Sequence, residues 1–144
     1  MDIRYLSSQF AVSPQIDPSD IDRLVSEGFR TVIINRPDEE ILPDQQCDAV
    51  ADAAKSAGLS VHYLPFYPGE MTQDLVQAFE AVVAQAQTPI FAYCRSGTRS
   101  SHLWAMSRAG TDPIESIVAA GAAVGYDLAP MAPLLTSYAA HKQK

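Results

Sequence analysis

The chain has little with which to build a disulfide framework: only two cysteines, Cys47 and Cys94, in 144 residues. That excludes a small scaffold held together by cross-links, and a reducing cytoplasm is the expected setting. Positive charge is also scarce. Ten Lys and Arg stand against seventeen Asp and Glu, a net charge of −7, which argues against a broad grip on nucleic acid or an anionic membrane surface. No window approaches the ~18 consecutive apolar residues of a membrane-spanning helix. The first residues, Met1-Asp2-Ile3-Arg4, show neither the basic stretch nor the apolar run of a secretory leader. Three histidines without ligand spacing point to no metal centre, and no cofactor is called for. Internal repeats and low-complexity tracts are missing as well. What remains, 47% apolar and 19% charged residues, is an ordinary globular composition, and residues 1–144 suit one domain with a proper core.

Short β-branched runs alternate with helical patterns, the signature of a mostly parallel sheet flanked by helices. Ile3 to Ser13 reads as two short strands or a hairpin bending at Ser7-Ser8-Gln9. Asp17-Pro18 opens a helix with Ile21, Leu24 and Val25 as its stripe, ended by Gly28. Thr31 to Asn35 is a buried strand. A helix carrying Cys47, Val50, Ala51 and Ala54 follows and stops at Gly58, and a strand over Leu59 to Phe66 is closed by Pro68-Gly69. Thr72 caps a helix with the stripe Leu75, Phe79, Val82, Val83 and Ala86. Pro89 to Tyr93 is a third buried strand and delivers Cys94 at its carboxyl end. Helices over Ser100–Ala109, Pro113–Ala123 (Ile114, Ile117, Val118) and Pro130–Ala140 (Met131, Leu134, Leu135, Tyr138) complete the chain.

Ligands of open α/β sheets gather beyond the carboxyl ends of the strands, where Cys94 lies. Between strand and helix runs Cys94-Arg95-Ser96-Gly97-Thr98-Arg99. The helix that follows begins with amides that have no intrahelical acceptor, and these form an anion site. Gly97 allows a tight turn with its amides pointing inward. Ser96, Thr98 and Ser100 add hydroxyl donors, Arg99 brings a planar fork suited to an oxyanion, and Arg95 is a second charge at the rim. Such a field favours the thiolate, so Cys94 is the candidate nucleophile toward an anionic substrate. Arg36, just past another strand end, is a candidate anion contact or else a salt-bridged loop residue. Asn35 is expected to fix its loop through side-chain bonds to backbone. Cys47 reads as core packing, and nothing in the spacing supports a Cys47–Cys94 redox pair. His62 reads as structural, and Leu103 and Trp104 as helix packing; His102, in the first turn after the loop, reads as outward-facing, with an approach to the site as the alternative.

Three motifs, Ser13-Pro14-Gln15-Ile16, Asn35-Arg36-Pro37-Asp38 and Tyr93-Cys94-Arg95-Ser96-Gly97-Thr98-Arg99-Ser100, together resemble the beta-lactamase-hydrolase-like, phosphatase-like domain family over about residues 2–110. Residues 111–144 lie outside that match and read as added helices. The resemblance implies a dual-specificity-phosphatase-like fold, a three-layer sandwich shared in outline with rhodanese-like enzymes. It makes Cys94 the nucleophile, Arg99 and the loop amides the anion clamp, and Ser100 a thiolate stabiliser. Cysteine phosphatases, however, have Arg six residues after Cys and usually His before it, whereas rhodanese-like sulfurtransferases commonly have the five-residue offset seen between Cys94 and Arg99. The phosphatase general acid, an Asp near Phe66-Tyr67-Pro68-Gly69, has no counterpart; Glu70 is the nearest carboxyl group and Asp38 a fallback.

The short loop and the missing acid favour sulfur transfer through a Cys94 persulfide, with thiosulfate or a persulfide as donor, a low-molecular-weight thiol as acceptor, and a persulfide-processing enzyme as the partner the family suggests. Overall resemblance favours the alternative, phosphate-ester hydrolysis through a phosphocysteine. A module that senses anions or reactive sulfur is the non-enzymatic alternative.

Overall fold

Five runs rich in β-branched and aromatic residues form strands of four residues each in the computed structural model, which describes residues 1–142: β1 (Arg4–Ser7), β2 (Phe10–Ser13), β3 (Thr31–Ile34), β4 (Ser60–Tyr63) and β5 (Ile90–Tyr93). β1 and β2 make the antiparallel hairpin foreseen at the N-terminus, and β2, β5, β3 and β4 run parallel, giving the order β1-β2-β5-β3-β4. Helices intervene as parallel connections require: α1 (Ile21–Ser26), α2 (Cys47–Ser56), α3 (Gln73–Gln85), α4 (Thr98–Arg108), α5 (Ile114–Ala123) and α6 (Ala132–Lys142).

Side chains alternate across each strand and so fill two cores. Ala11, Val32, Ile34, Phe91 and Tyr93 pack with α1 and α2 on one face. Phe10, Val12, Ile33, Ile90 and Ala92 pack with α3, α4, α5 and α6 on the other. With both faces covered, every residue of β2, β3 and β5 is buried, which is why these strands read as continuous apolar runs. The α/β class and the three-layer arrangement are as expected.

Local details differ. The strand foreseen over 59–66 is regular only to Tyr63; beyond it the Leu64 and Phe66 amides still donate to Ile34 and Asn35 carbonyls, but Pro65 between them has no N–H to continue a ladder. α1 is only six residues long, so Ile21 and Leu24 fill its inward face and Val25 stays exposed. The helix expected from Ser100 begins at Thr98, because Gly97 caps it in the left-handed region at φ 92°. α6 is held to α4 from below: Lys142 Nζ donates to the carbonyls of Met106, Ser107 and Ala109 and pairs with Glu80 at 2.7 Å. It thus satisfies carbonyls that a helix end leaves free.

Phe79, fully buried between α3 and the sheet and edge-on to Phe10 at 5.9 Å, anchors the thicker core. Phe79→Ala is expected to lower the unfolding free energy by about 3–5 kcal/mol, measured by urea denaturation.

Candidate active site

Three neighbouring parallel strands end at one level. Ser13, Tyr93 and Ile34 are in register across β2, β5 and β3, so the residues that follow them meet at one edge of the sheet. Those residues are the three motifs singled out in the sequence. Asn35 N–H donates to the Tyr93 carbonyl at 2.9 Å, and Gln15 N–H donates to the Arg95 carbonyl at 3.2 Å.

The loop after Cys94 is pinned from outside. Besides the Gln15 bond to Arg95, the Tyr126 hydroxyl donates to the Ser96 carbonyl at 2.9 Å. In a trans peptide the C=O and the next N–H point in opposite directions. Holding the Ser96 carbonyl outward therefore turns the Gly97 N–H inward, and it donates to Cys94 Sγ at 3.1 Å. That hydrogen bond is aimed at the sulfur from the N-terminal end of α4. Only glycine fits this corner. Its φ is positive, and a Cβ there would stand 2.0 Å from the Tyr126 hydroxyl oxygen. Tyr126 is itself braced by Arg4, whose guanidinium lies 5.1 Å from the ring centroid and donates to the Val124 carbonyl.

Arg99 is buried and held by Glu40. Its Nη1 donates to Glu40 Oε2 at 3.0 Å and to the Phe66 carbonyl at 2.9 Å, and its Nη2 donates to Glu40 Oε1 at 2.8 Å. Of the five N–H donors of a guanidinium, three are thus engaged, and the edge formed by Nε and the second Nη2 hydrogen is left for an anion. Glu40 also accepts from Arg36 Nε at 3.1 Å. The Arg99 hydrogen bonds, helped by Arg36, hold the Glu40 carboxyl below the usual carboxylate range. Two arginines against one carboxylate leave the site locally positive in an acidic chain.

A cleft of about 570 Å³ opens over the loop. Arg95, Ser96 and Thr98 line it from the exposed side, Arg99 and His102 from α4, and Phe66 from the opposite wall. Ser96 Oγ and Thr98 Oγ1 bond to each other at the mouth at 2.9 Å. His102 faces this cleft rather than outward, and burial holds its imidazole below the ordinary value, so it is neutral at pH 7.

Other candidates stand elsewhere. Ser100 Oγ donates to Asn35 Oδ1 at 2.8 Å, and Asn35 Nδ2 donates to the Leu64 carbonyl at 2.9 Å. This buried chain ties α4 to the ends of β3 and β4, and the hydrogen bond to Cys94 comes from the Gly97 amide rather than from Ser100. Arg36 is the salt-bridged residue of the two readings, bonded to Glu40 and to Gln15 Oε1 at 3.2 Å. Asp38 Oδ1 accepts from the Cys47 amide at 2.7 Å and so satisfies the first turn of α2; it does not line the cleft. Glu70 lines the neighbouring cavity, with Glu39, Tyr63 and Tyr67. Neither carboxyl group meets the loop. Cys47 packs between α2 and the sheet, and burial pushes its thiol up to about 11. Sequence reasoning missed Glu40 and Tyr126. An acidic Asp38-Glu39-Glu40 turn gives no hint that one carboxylate reaches a residue 59 positions away, and Tyr126 sits in the segment read only as added helices.

Residues 2–111 match the family described as beta-lactamase hydrolase-like protein, phosphatase-like domain. A beta-lactamase hydrolase-like protein of Xylella fastidiosa is 31% identical over 130 residues, which are 89% of this chain and 30% of that protein. The chain therefore spans about a third of the length of the curated relatives it matches. Among solved structures, a Neisseria meningitidis protein provisionally named a phosphatase is similar with TM-score 0.83 at 30% identity, over 96% of this chain and 99% of that one. PTPMT1 in complex with PI(5)P is similar in fold, with TM-score 0.74 at 16% identity over 98% and 96% of the two chains.

Two predictions follow from the geometry. Gly97→Ala is expected to cost about 2 kcal/mol or more, from left-handed strain and the clash with Tyr126. Part of that cost should be relieved in a Tyr126→Phe background, read from a double-mutant cycle of urea midpoints. Glu40→Gln is expected to cost about 1.5–3 kcal/mol at pH 7 by breaking charged hydrogen bonds to Arg99. Because the folded carboxyl is held low, its contribution is present above the unfolded value of about 4.3 and is lost as pH falls through the folded value. The gap between wild type and Glu40→Gln should therefore close in acid.

Proposed function

Since the chain belongs to the beta-lactamase hydrolase-like protein, phosphatase-like domain family, we propose that it is a cysteine-dependent phosphatase acting on a phosphate monoester. The observation that carries this reading is the free edge of Arg99, held by Glu40 beside a loop whose Gly97 amide donates to Cys94 Sγ.

The proposed steps use only these groups. The substrate phosphoryl oxygens lie against the Nε/Nη2 edge of Arg99 and the loop amides, which stabilise the charge of the transition state. Cys94 Sγ attacks phosphorus, an S–P bond forms, and the bond from phosphorus to the ester oxygen breaks, with the departing oxygen taking a proton from water. Water then attacks the phosphocysteine; the S–P bond breaks, inorganic phosphate leaves and the thiolate is restored. Among the described residues no carboxyl group lines the cleft, so this reading assigns no acid assistance, typically worth 10²–10⁴-fold, to Asp38 or Glu70.

That same feature supports a second reading, sulfur transfer, which needs no acid. Cys94 Sγ would attack the outer sulfur of thiosulfate, sulfite would leave with the electron pair of the S–S bond, and a thiol or cyanide would take the sulfur from the persulfide. The five-residue offset from Cys94 to Arg99 favours this reading; family and fold favour the first.

The protein is tested with p-nitrophenyl phosphate, and separately with thiosulfate and cyanide, alongside Cys94→Ser and Arg99→Lys. Nitrophenol release is expected to vanish in Cys94→Ser and to fall at least about 10²-fold in Arg99→Lys, which lacks the planar donor edge. Glu70→Gln should stay within about threefold of wild type, since acid assistance of the usual size is not assigned to it. Cys94-dependent thiocyanate without nitrophenol would instead establish sulfur transfer.

A further inference from the structure

Two cavities adjoin the cleft through shared wall residues, and their chemistry differs. Past Phe66, on one side, lies the cavity walled by Glu39, Glu70 and the Tyr63 and Tyr67 rings. Its carboxylates repel an anion or an acidic group. On the other side Met71 and Leu134 wall the catalytic cleft and, at the same time, a second cavity of about 290 Å³. That cavity is lined by the apolar Val76 and Met106 and flanked by Tyr138, with the uncharged polar Thr72, Gln73 and Ser137 completing its wall. Among the described residues, the only titratable side chains on it are Tyr138, whose hydroxyl is engaged by Glu80, and His141, whose ring nitrogen is bonded to Gln73 at its rim.

Leu134 is the unexpected member. It belongs to the apolar stripe of α6, yet it is 48% exposed, while Leu135 and Tyr138 are buried against the core. An apolar side chain left in solvent between an anion-binding loop and an apolar hollow is placed to contact a ligand. Methionines beside it, unbranched and polarisable, adapt to a ligand's shape.

We propose that the Met71–Leu134 saddle and the hollow behind it form a subsite for the organic part of the substrate, which is an apolar group esterified to the phosphate held at the loop. The proposal rests on the phosphate-ester reading and narrows it: polar and acidic esters, such as those of phosphorylated acidic peptides or small polyols, are poor ligands. It also gives α6, which lies beyond the family match at residue 111, a role in substrate choice. Ligand polarity is discriminated by the saddle, whereas the anion is held by the loop.

The test is equilibrium binding, which needs no turnover and so stands apart from the test of catalysis. Inorganic phosphate, glycerol 2-phosphate and 2-naphthyl phosphate are titrated by calorimetry into Cys94→Ser protein of residues 1–144. The naphthyl ester is expected to bind at least about tenfold tighter than either of the others, a difference of about 1.4 kcal/mol. In Cys94→Ser/Leu134→Ala the ratio of naphthyl to inorganic phosphate affinity should fall at least threefold; Leu134 is half exposed, so the fold tolerates the change. Equal affinities for the three ligands, or an advantage of the naphthyl ester untouched by Leu134→Ala, would overturn the subsite. If the naphthyl ester binds as expected and the wild-type protein still releases no phosphate, the subsite stands and the phosphatase reading falls.

Discussion

The site depends on the direction of two peptide carbonyls. Arg95 and Ser96 would ordinarily be free to turn their carbonyls toward the loop interior, where they would repel an anion. Gln15 N–H holds the first outward and the Tyr126 hydroxyl holds the second. Planarity of the peptide then leaves the following amides no choice but to face inward, and one of them meets Cys94 Sγ. Gly97 is the position that must give way for this, since its positive φ and the closeness of Tyr126 leave no room for a side chain. The hairpin exit, the central strand and the segment after α5 are thus all parts of one clamp.

A second layer of organisation is electrostatic. Burying an arginine is costly unless its donors are satisfied, and a buried ion pair rarely adds net stability. What the Arg99–Glu40 pair supplies is orientation: a bidentate contact on one edge of the guanidinium fixes where the other edge points. Arg36 donates to the same Glu40 Oε1 as Arg99 Nη2 and, after Arg99, helps hold that carboxyl below the usual range. A chain with net charge −7 in this way concentrates positive charge where an anion is to be held, while its own Asp38 and Glu70 are kept off the cleft.

The functional emphasis shifts accordingly. Counting residues from Cys94 to Arg99 and finding no Asp near Phe66 leans toward sulfur transfer. Family membership and the likeness to phosphatase-fold structures lean toward phosphate-ester hydrolysis. α4 starts at Thr98 and so carries Arg99 in its first turn. His102 lies one turn further along the same helix and faces the cleft, a placement that helical spacing permits but does not dictate.

Cys94, Gly97 and Arg99, the parallel sheet and the family were legible because each is a local pattern: a buried β-branched strand, a turn that needs glycine, a helix start. That the Asn35 and Cys94 motifs share one edge was legible too, once parallel strands were inferred, whereas the place of Ser13 beside them came with the pairing of β2 to β5. The sequence by itself therefore determined which residues make the loop and the edge of the sheet at which it lies. Only the tertiary structure decided the partners: Glu40 for Arg99, Tyr126 for Ser96, Asn35 for Ser100, and Leu134 left uncovered at the cleft. Each of these joins residues 30 or more positions apart, or depends on which neighbour fills a given space. Spacing along a chain carries periodicity and turn chemistry, but it carries no measure of such distances, which are set by how the helices pack.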